Sequence, residues 1–223
     1  MTSALSIWLD FCQRFRVTEA AVPLFDESNG RVKVRPVGRS QRPALCRSPA
    51  MEALVRSEVD AIVEDHREHG KLDGLIYMMG IKRTDQFLPL YIGKAETLGR
   101  GDKNFSANLA NLSRDTSKFA RWGDGYAYHI GDLSACALLG HPTDKQTDKY
   151  RDWASALFLQ VPTHRPVLRE HVWFWAKAWD QRWSGVWKEL GPTRLAFLEY
   201  TLIGVASMIS TSLLNREGRQ RTK

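Results

Sequence analysis

A chain of 223 residues, 43% hydrophobic and 10% aromatic, can bury a sizeable core, which excludes a disordered or fibrous protein. Lysine and arginine outnumber aspartate and glutamate by 32 to 25, a formal charge of +7 that makes a polyanion such as nucleic acid the first partner to consider, with a solvated basic surface as the alternative. Cys12, Cys46 and Cys136 lie far apart with no CxxC pair, so neither a zinc cage nor a disulfide frame is expected, and a reducing cytoplasm fits. The N-terminus carries Asp10 within its apolar portion and no basic n-region, so it does not read as a secretory signal.

Residues 4–16 form the first expected helix, with Leu5, Leu9 and Cys12 spaced for one face. Residues 31–49 contain Arg31, Lys33, Arg35, Arg39, Arg42 and Arg47 and no acid, broken by Pro36, Gly38, Pro43 and Pro49. This stretch reads either as an arm on phosphate or as a solvated connector. Residues 50–69 carry an apolar stripe of Met51, Leu54, Val55, Val59, Ile62 and Val63 stopped by Gly70, the pattern of an amphipathic helix. His66 and His69 at its polar end face solvent in this reading rather than a metal. Two apolar runs, Leu75 to Ile81 and Phe87 to Ile92, flank the polar residues 82–86 and predict a β-hairpin.

Further on, residues 104–114 read as a helix through Phe105, Leu109 and Leu112, and residues 126–130 as a short strand between glycines. His129 in that strand faces either the active site or the packing. Residues 143–159 are expected to be helical, and 161–166 a loop. Residues 170–187 hold five of the eight tryptophans and alternate as a strand, which would join the hairpin in a three-stranded sheet. The tryptophans are expected in the core, with base stacking as the lesser alternative. The last helix is expected over 193–214. Its apolar stretch 195–214 is 20 residues, long enough to cross a bilayer, but Glu199 and several hydroxyl residues favour a core helix.

Each hairpin strand carries a tyrosine. The register that centres the turn on Thr84 puts Tyr77 directly opposite Tyr91, with both phenols on one face. Leu75-Ile76-Tyr77 followed by Tyr91-Ile92-Gly93-Lys94, then Arg100, Glu199 and Asn215 in that order, resembles the paired signature and the later motif residues of the GIY-YIG endonucleases. Leu75 stands where the family name has glycine, and position 104, one turn after Arg100, is Asn where many members carry His. The resemblance covers residues 72–115 and 168–218. It implies an α+β fold with a small, mainly antiparallel three-stranded sheet flanked by helices, within one elaborated domain. Residues 1–70 would be an N-terminal extension and 116–167 an insertion.

A phosphodiester hydrolase needs an in-line water, relief of charge on the phosphate and help for the leaving oxygen. An ionised Glu199 in so apolar a helix is costly unless paired, either with a buried arginine or with a divalent ion. The resemblance favours the ion, Mg²⁺ with Mn²⁺ as an alternative, in a single-metal mechanism. A tyrosine serves as a base only if cations lower its pKa, and Lys94 and Arg100 follow Tyr91 closely. Tyr77 would orient or deprotonate the water with Tyr91 as its partner, or the reverse. Arg100 would grip the scissile phosphate, and Asn215 would position a tyrosine or the phosphate. The expected activity is a Mg²⁺-dependent endonuclease on DNA, cytoplasmic and not membrane-bound. A catalytically silent nucleic-acid-binding protein on the same scaffold is the alternative.

Overall fold

The computed structural model describes residues 3–84, 86–99 and 104–219. In chain order the elements are α1 (Ala4–Arg14), α2 (Val17–Ala20), β1 (Val22–Pro23), β2 (Glu27–Ser28), β3 (Arg31–Val32), β4 (Val34–Val37), β5 (Arg42–Leu45), α3 (Pro49–Glu68), β6 (Leu72–Arg83), β7 (Gln86–Glu96), α4 (Ala107–Ala110), α5 (His129–Ala137), α6 (Asp148–Leu157), β8 (Trp173–Asp180) and α7 (Leu195–Ile209). The fold is α+β. Its main sheet runs β1-β8-β6-β7 with every neighbour antiparallel, so the expected three strands gain a two-residue fourth at one edge.

β6 is central, and its residues 74–80 are all buried, as expected of a strand covered on both faces. Leu75, Tyr77 and Met79 point to a front core shared with Phe174 and Ala176, where α3 inserts Met51, Val55, Val59 and Ile62 and α5 and α6 complete the cover. Ile76 and Met78 point to a back core with Ile92, Trp175 and Trp179, covered by α1 and α7. The result is helix, sheet, helix in three layers. Residues 1–70 therefore supply one helix to each layer and an edge strand. In α1 the buried side chains are Trp8, Phe11 and Cys12, while Leu5 is exposed, a rotation from the expected face.

The hairpin register differs from the expected one. Near the turn, Arg83 pairs with Gln86 and Gly80 with Pro89, so the connection is two residues, with position 85 outside those described. Beyond Gly80 the register shifts: Met79 pairs with Tyr91 and Tyr77 with Gly93. Leu90 is thus an extra residue, a β-bulge. Tyr77 and Tyr91 are diagonal rather than directly opposite. They still share a face, because the bulge moves everything after it by one position. Continued without it, the turn-side ladder would pair Met78 with Tyr91 and send that phenol to the back core. Leu90 and Tyr91, adjacent in the chain, accordingly both enter the front core.

Other elements are shorter than expected. Asn104, Ser106, Asn108, Asn111 and Ser113 are weak helix formers, and only Ala107–Ala110 is helical in the stretch 104–114. Residues 126–130 are not a strand. Asp132 accepts a hydrogen bond from the Ala127 N–H at 2.8 Å, Ala127 takes φ 72°, and α5 begins at His129. Within 143–159 a short 3-10 turn precedes α6. α7 ends at Ile209, so Asn215 lies beyond the helix. Among the described residues no helix is long and apolar enough to cross a membrane.

The basic segment is largely tied down. β4 and β5 form a hairpin whose Arg35 pairs with the Asp124 carboxylate, and Arg42 donates to the Asp124 carbonyl. The Arg47 side chain is 1% exposed and lies 3.1 Å from Asp124 and 3.0 Å from Glu52. Arg39, near the hairpin turn, stays exposed. The segment is a bracket on the loop that leads to α5.

Candidate active site

Tyr77 and Tyr91 lie with ring centroids 6.4 Å apart on the front of the sheet. Gly93, the direct partner of Tyr77, leaves room for the phenol to lie across β7, since a Cβ there would stand 2.7 Å from the Tyr77 hydroxyl. That hydroxyl is 3.0 Å from His129 Nε2, and His129 Nδ1 is 2.7 Å from the Tyr150 hydroxyl. α5 presents His129 as its first residue and α6 presents Tyr150. Trp153 stacks on the imidazole at 5.2 Å and Trp122 tilts against it at 4.9 Å. The indole N–H groups of both tryptophans find no acceptor among the described residues. Of the two sequence readings of His129, it is packed and also contacts a candidate tyrosine.

Burial dominates the protonation states. It pushes Tyr77 well above 10, and Tyr91 up to about 12, with the Glu199 charge adding to the rise at Tyr91. Arg121 pulls both down. Burial, with Lys149 and Arg121, holds His129 well below 6.5, so the ring is neutral. The phenols are neutral donors at neutral pH, not phenolates, which corrects the expectation that cations of the hairpin lower them. Among the described residues the cation that acts on both is Arg121, from residues 116–167.

Glu199 stands on α7, on the back of the sheet. Burial raises its pKa, Lys94 opposes that, and Glu96 and Glu217 reinforce it. Lys94, opposite Ile76, belongs to this back side and pairs with Glu96. The Glu199 carboxylate makes no hydrogen bond or ion pair among the described residues. Asn215 touches neither tyrosine's hydroxyl through its amide. Its Oδ1 accepts from the Ile92 N–H at 3.0 Å and its Nδ2 donates to the Ile92 carbonyl at 2.8 Å. With Leu214 N–H on the Leu90 carbonyl at 2.7 Å, it closes the outer edge of β7 on both sides of Tyr91. Arg100 lies outside the described residues.

β7 therefore carries Tyr91 on its front beside Tyr77, Lys94 on its back and Asn215 at its outer edge, Glu199 stands behind the sheet on α7, and the tyrosines' side adds His129, Tyr150, Arg121 and Lys149. The last three carry no sequence signal beyond the aromatic and glycine density of their segments. His66 rests on the Phe105 ring at 4.7 Å and His69 is exposed. Among the described residues no group of three or more His, Cys, Asp or Glu side chains is placed to share a metal ion. A cleft of about 1090 Å³ runs beside β8 between Phe15, Trp183 and Lys177 and includes none of these residues. Comparisons with protein-family models, curated proteins and solved structures found no match to this chain.

Proposed function

We propose that the protein is a Mg²⁺-dependent endonuclease that hydrolyses phosphodiester bonds in duplex DNA. The observation that carries the reading is the chain of hydrogen bonds from Tyr77 through His129 to Tyr150, with Tyr91 beside it, assembled from the hairpin, α5 and α6. Burial shifts the protonation of all these groups, and perturbed titratable groups brought together from separate elements are candidates for a functional site.

The neutral His129 supplies what the phenols lack. With Nδ1–H donated to Tyr150, Nε2 accepts the Tyr77 hydroxyl proton as Tyr77 takes one from the attacking water. Tyr91 orients that water as a donor. Glu199, a lone half-buried carboxylate without a protein partner among the described residues, has the chemistry of a one-carboxylate Mg²⁺ ligand. The ion when bound would neutralise charge on the phosphate and the leaving oxygen. Asn215 and Gly93 are positioning residues.

Purified protein incubated with plasmid and Mg²⁺ should nick or linearise it, and EDTA should prevent this. Glu199→Gln should bind DNA and leave it intact; a folded Glu199→Gln protein that cuts normally would falsify the metal assignment. One observation favours the second reading, a silent DNA-binding protein: Tyr77 is 2% exposed and Tyr91 9%. DNA binding by the wild type without Mg²⁺-dependent cleavage would establish that reading instead.

A further inference from the structure

We propose that the cleft beside β8 binds an unpaired nucleotide, with its base stacked on Phe15 and Trp183 and its phosphate held by Arg16 and Lys188. The site goes beyond the nuclease reading and does not rest on it. β1 pairs only with Trp173 and Phe174, so β8 runs on past it and the cleft of about 1090 Å³ opens along its edge. A volume of this order accommodates a ligand the size of a nucleotide. The edge itself is closed to an added peptide strand. Ala176 and Ala178 are 2% and 5% exposed, and the Glu58 carboxylate already accepts the Ala178 N–H at 2.7 Å.

The aromatic floor of the cleft is preorganised. Phe15 and Trp183, both half-exposed, lie 5.8 Å apart and rest on the buried Trp179 at 5.1 and 5.4 Å. Arg14 ties their two segments together. Its guanidinium lies over the Phe15 ring at 5.2 Å and donates to the carbonyls of Ser184 and Gly185 at 3.1 and 2.6 Å. The Trp183 backbone is held as well: its N–H donates to the Asp180 carbonyl at 3.0 Å, and its carbonyl accepts the Thr193 N–H at 2.9 Å. Rings fixed in this way lose little freedom when a base stacks on them, and stacking suits any base because each has a π-face.

Among the described residues five cations and two carboxylates line the cleft, a balance that favours an anion. Arg16 stands between α1 and α2 at φ 49° and ψ 41°, a left-handed backbone that a non-glycine residue adopts at a cost. Its exposed guanidinium has no hydrogen bond, ion pair or ring contact among the described residues. Lys188 and Arg14 share the single Asp10 carboxylate at 2.7 and 2.8 Å, which leaves one charge of the two uncompensated there. Lys177 and Arg182 are each paired, with Glu58 and Asp180. Glu19, exposed on α2, is the acid that opposes an anion at Arg16. An aromatic platform beside uncompensated cations recognises a base and its phosphate together. A duplex, whose bases are already stacked on one another, offers no free face to it.

The test is binding of thymidine monophosphate, a single-stranded oligothymidine and a duplex oligonucleotide of the same length to the full chain in EDTA, where no cleavage intervenes. Trp183→Ala should weaken oligothymidine about tenfold and leave duplex affinity unchanged. Arg16→Gln should lower the salt slope of oligothymidine binding by about 0.7, the value for one phosphate contact on a single strand, and Arg16→Lys should retain it. Arg16 is exposed, so its variants decide the matter if Trp183→Ala fails to fold. Oligothymidine bound more tightly than the monophosphate supports the site and assigns it to a strand; equal affinities support it and assign it to a free nucleotide. Unchanged oligothymidine affinity in folded Trp183→Ala would overturn the proposal, as would an unchanged salt slope in Arg16→Gln. So would an equal loss of duplex and single-strand affinity in Trp183→Ala, or displacement of oligothymidine by polyglutamate at equal concentration, which would make the cleft a groove for acidic peptides. Plasmid cleavage enters none of these measurements, so this site and the nuclease reading fail separately.

Discussion

The Tyr77 phenol lies across Gly93, with its hydroxyl 2.7 Å and its ring carbons 2.7–2.8 Å from where a Cβ would stand. The ring is 2% exposed, so it has nowhere to move. Gly93→Ala should cost about 1–3 kcal/mol through overpacking and break the Tyr77–His129 hydrogen bond. Chemical denaturation reads the loss. Placed in a Tyr77→Ala background, the same change should cost much less, because the clash is then absent. Additive costs would show that the strain lies elsewhere.

Asn215 closes β7 by pairing its side-chain amide with both backbone groups of Ile92. Ile92 is fully buried, so Asn215→Ala would leave an N–H and a carbonyl without partners. The expected cost is about 1–3 kcal/mol. Hydrogen exchange at the Ile92 amide should speed up by more than at the amides of β8. Equal protection in variant and wild type would show that the edge is closed by other means.

The hairpin, the long α3 and the tryptophan strand were legible because each obeys a single period: two for the strands, 3.6 for the helix. The register was not legible. It turns on Leu90, whose apolar side chain fits a regular strand as well as a bulge, and on Pro89, whose missing N–H weakens the ladder where the bulge falls. The short helices misled for another reason. Phe105, Leu109 and Leu112 have helical spacing, but the Asn and Ser residues between them are weak helix formers, and the backbone closes in turns instead. Half of the candidate site was unreadable because it is assembled by topology. Nothing local to His129, Lys149 or Tyr150 announces that α5 and α6 will pack over the hairpin. Glu199 was legible as a carboxylate too costly to leave unpaired in so apolar a helix, Asn215 only through the resemblance, and the amide of Asn215 proves to serve the strand edge.

The bulge makes a sharp test. Deleting Leu90 would continue the turn-side ladder and exchange the faces of every residue from Tyr91 to Glu96. Lys94 would enter the front core and Tyr91 the back. The cost should exceed about 4 kcal/mol, because it combines a buried charge with lost packing. Leu90→Val keeps the extra residue and should cost about 1 kcal/mol. If the deletion variant melts within a few degrees of Leu90→Val, the bulge does not set the face of Tyr91.

The last prediction concerns acid. His129 is neutral in the folded chain, with its pKa held well below the ordinary 6.5 by burial and by Lys149 and Arg121. In the unfolded chain it titrates near that ordinary value. A group whose folded pKa is depressed lends stability above the unfolded pKa and loses it as pH falls, because the unfolded state then binds the extra proton. Stability should therefore decline below about pH 6.5, with a slope approaching one proton from this residue alone. Glu199 works in the opposite direction, since its raised pKa makes the folded state bind the extra proton above 4.5. Its influence is confined to the window above the unfolded carboxylate value and weakens as pH climbs past its folded pKa. The two are separated by variants. His129→Asn keeps a hydrogen-bonding side chain and removes the titration, so urea unfolding between pH 5 and pH 7 should become flatter than in the wild type, whatever the variant's absolute stability. The same slope in both proteins would mean that His129 is charged in the folded state, and the neutral imidazole that accepts the Tyr77 proton would have to be abandoned.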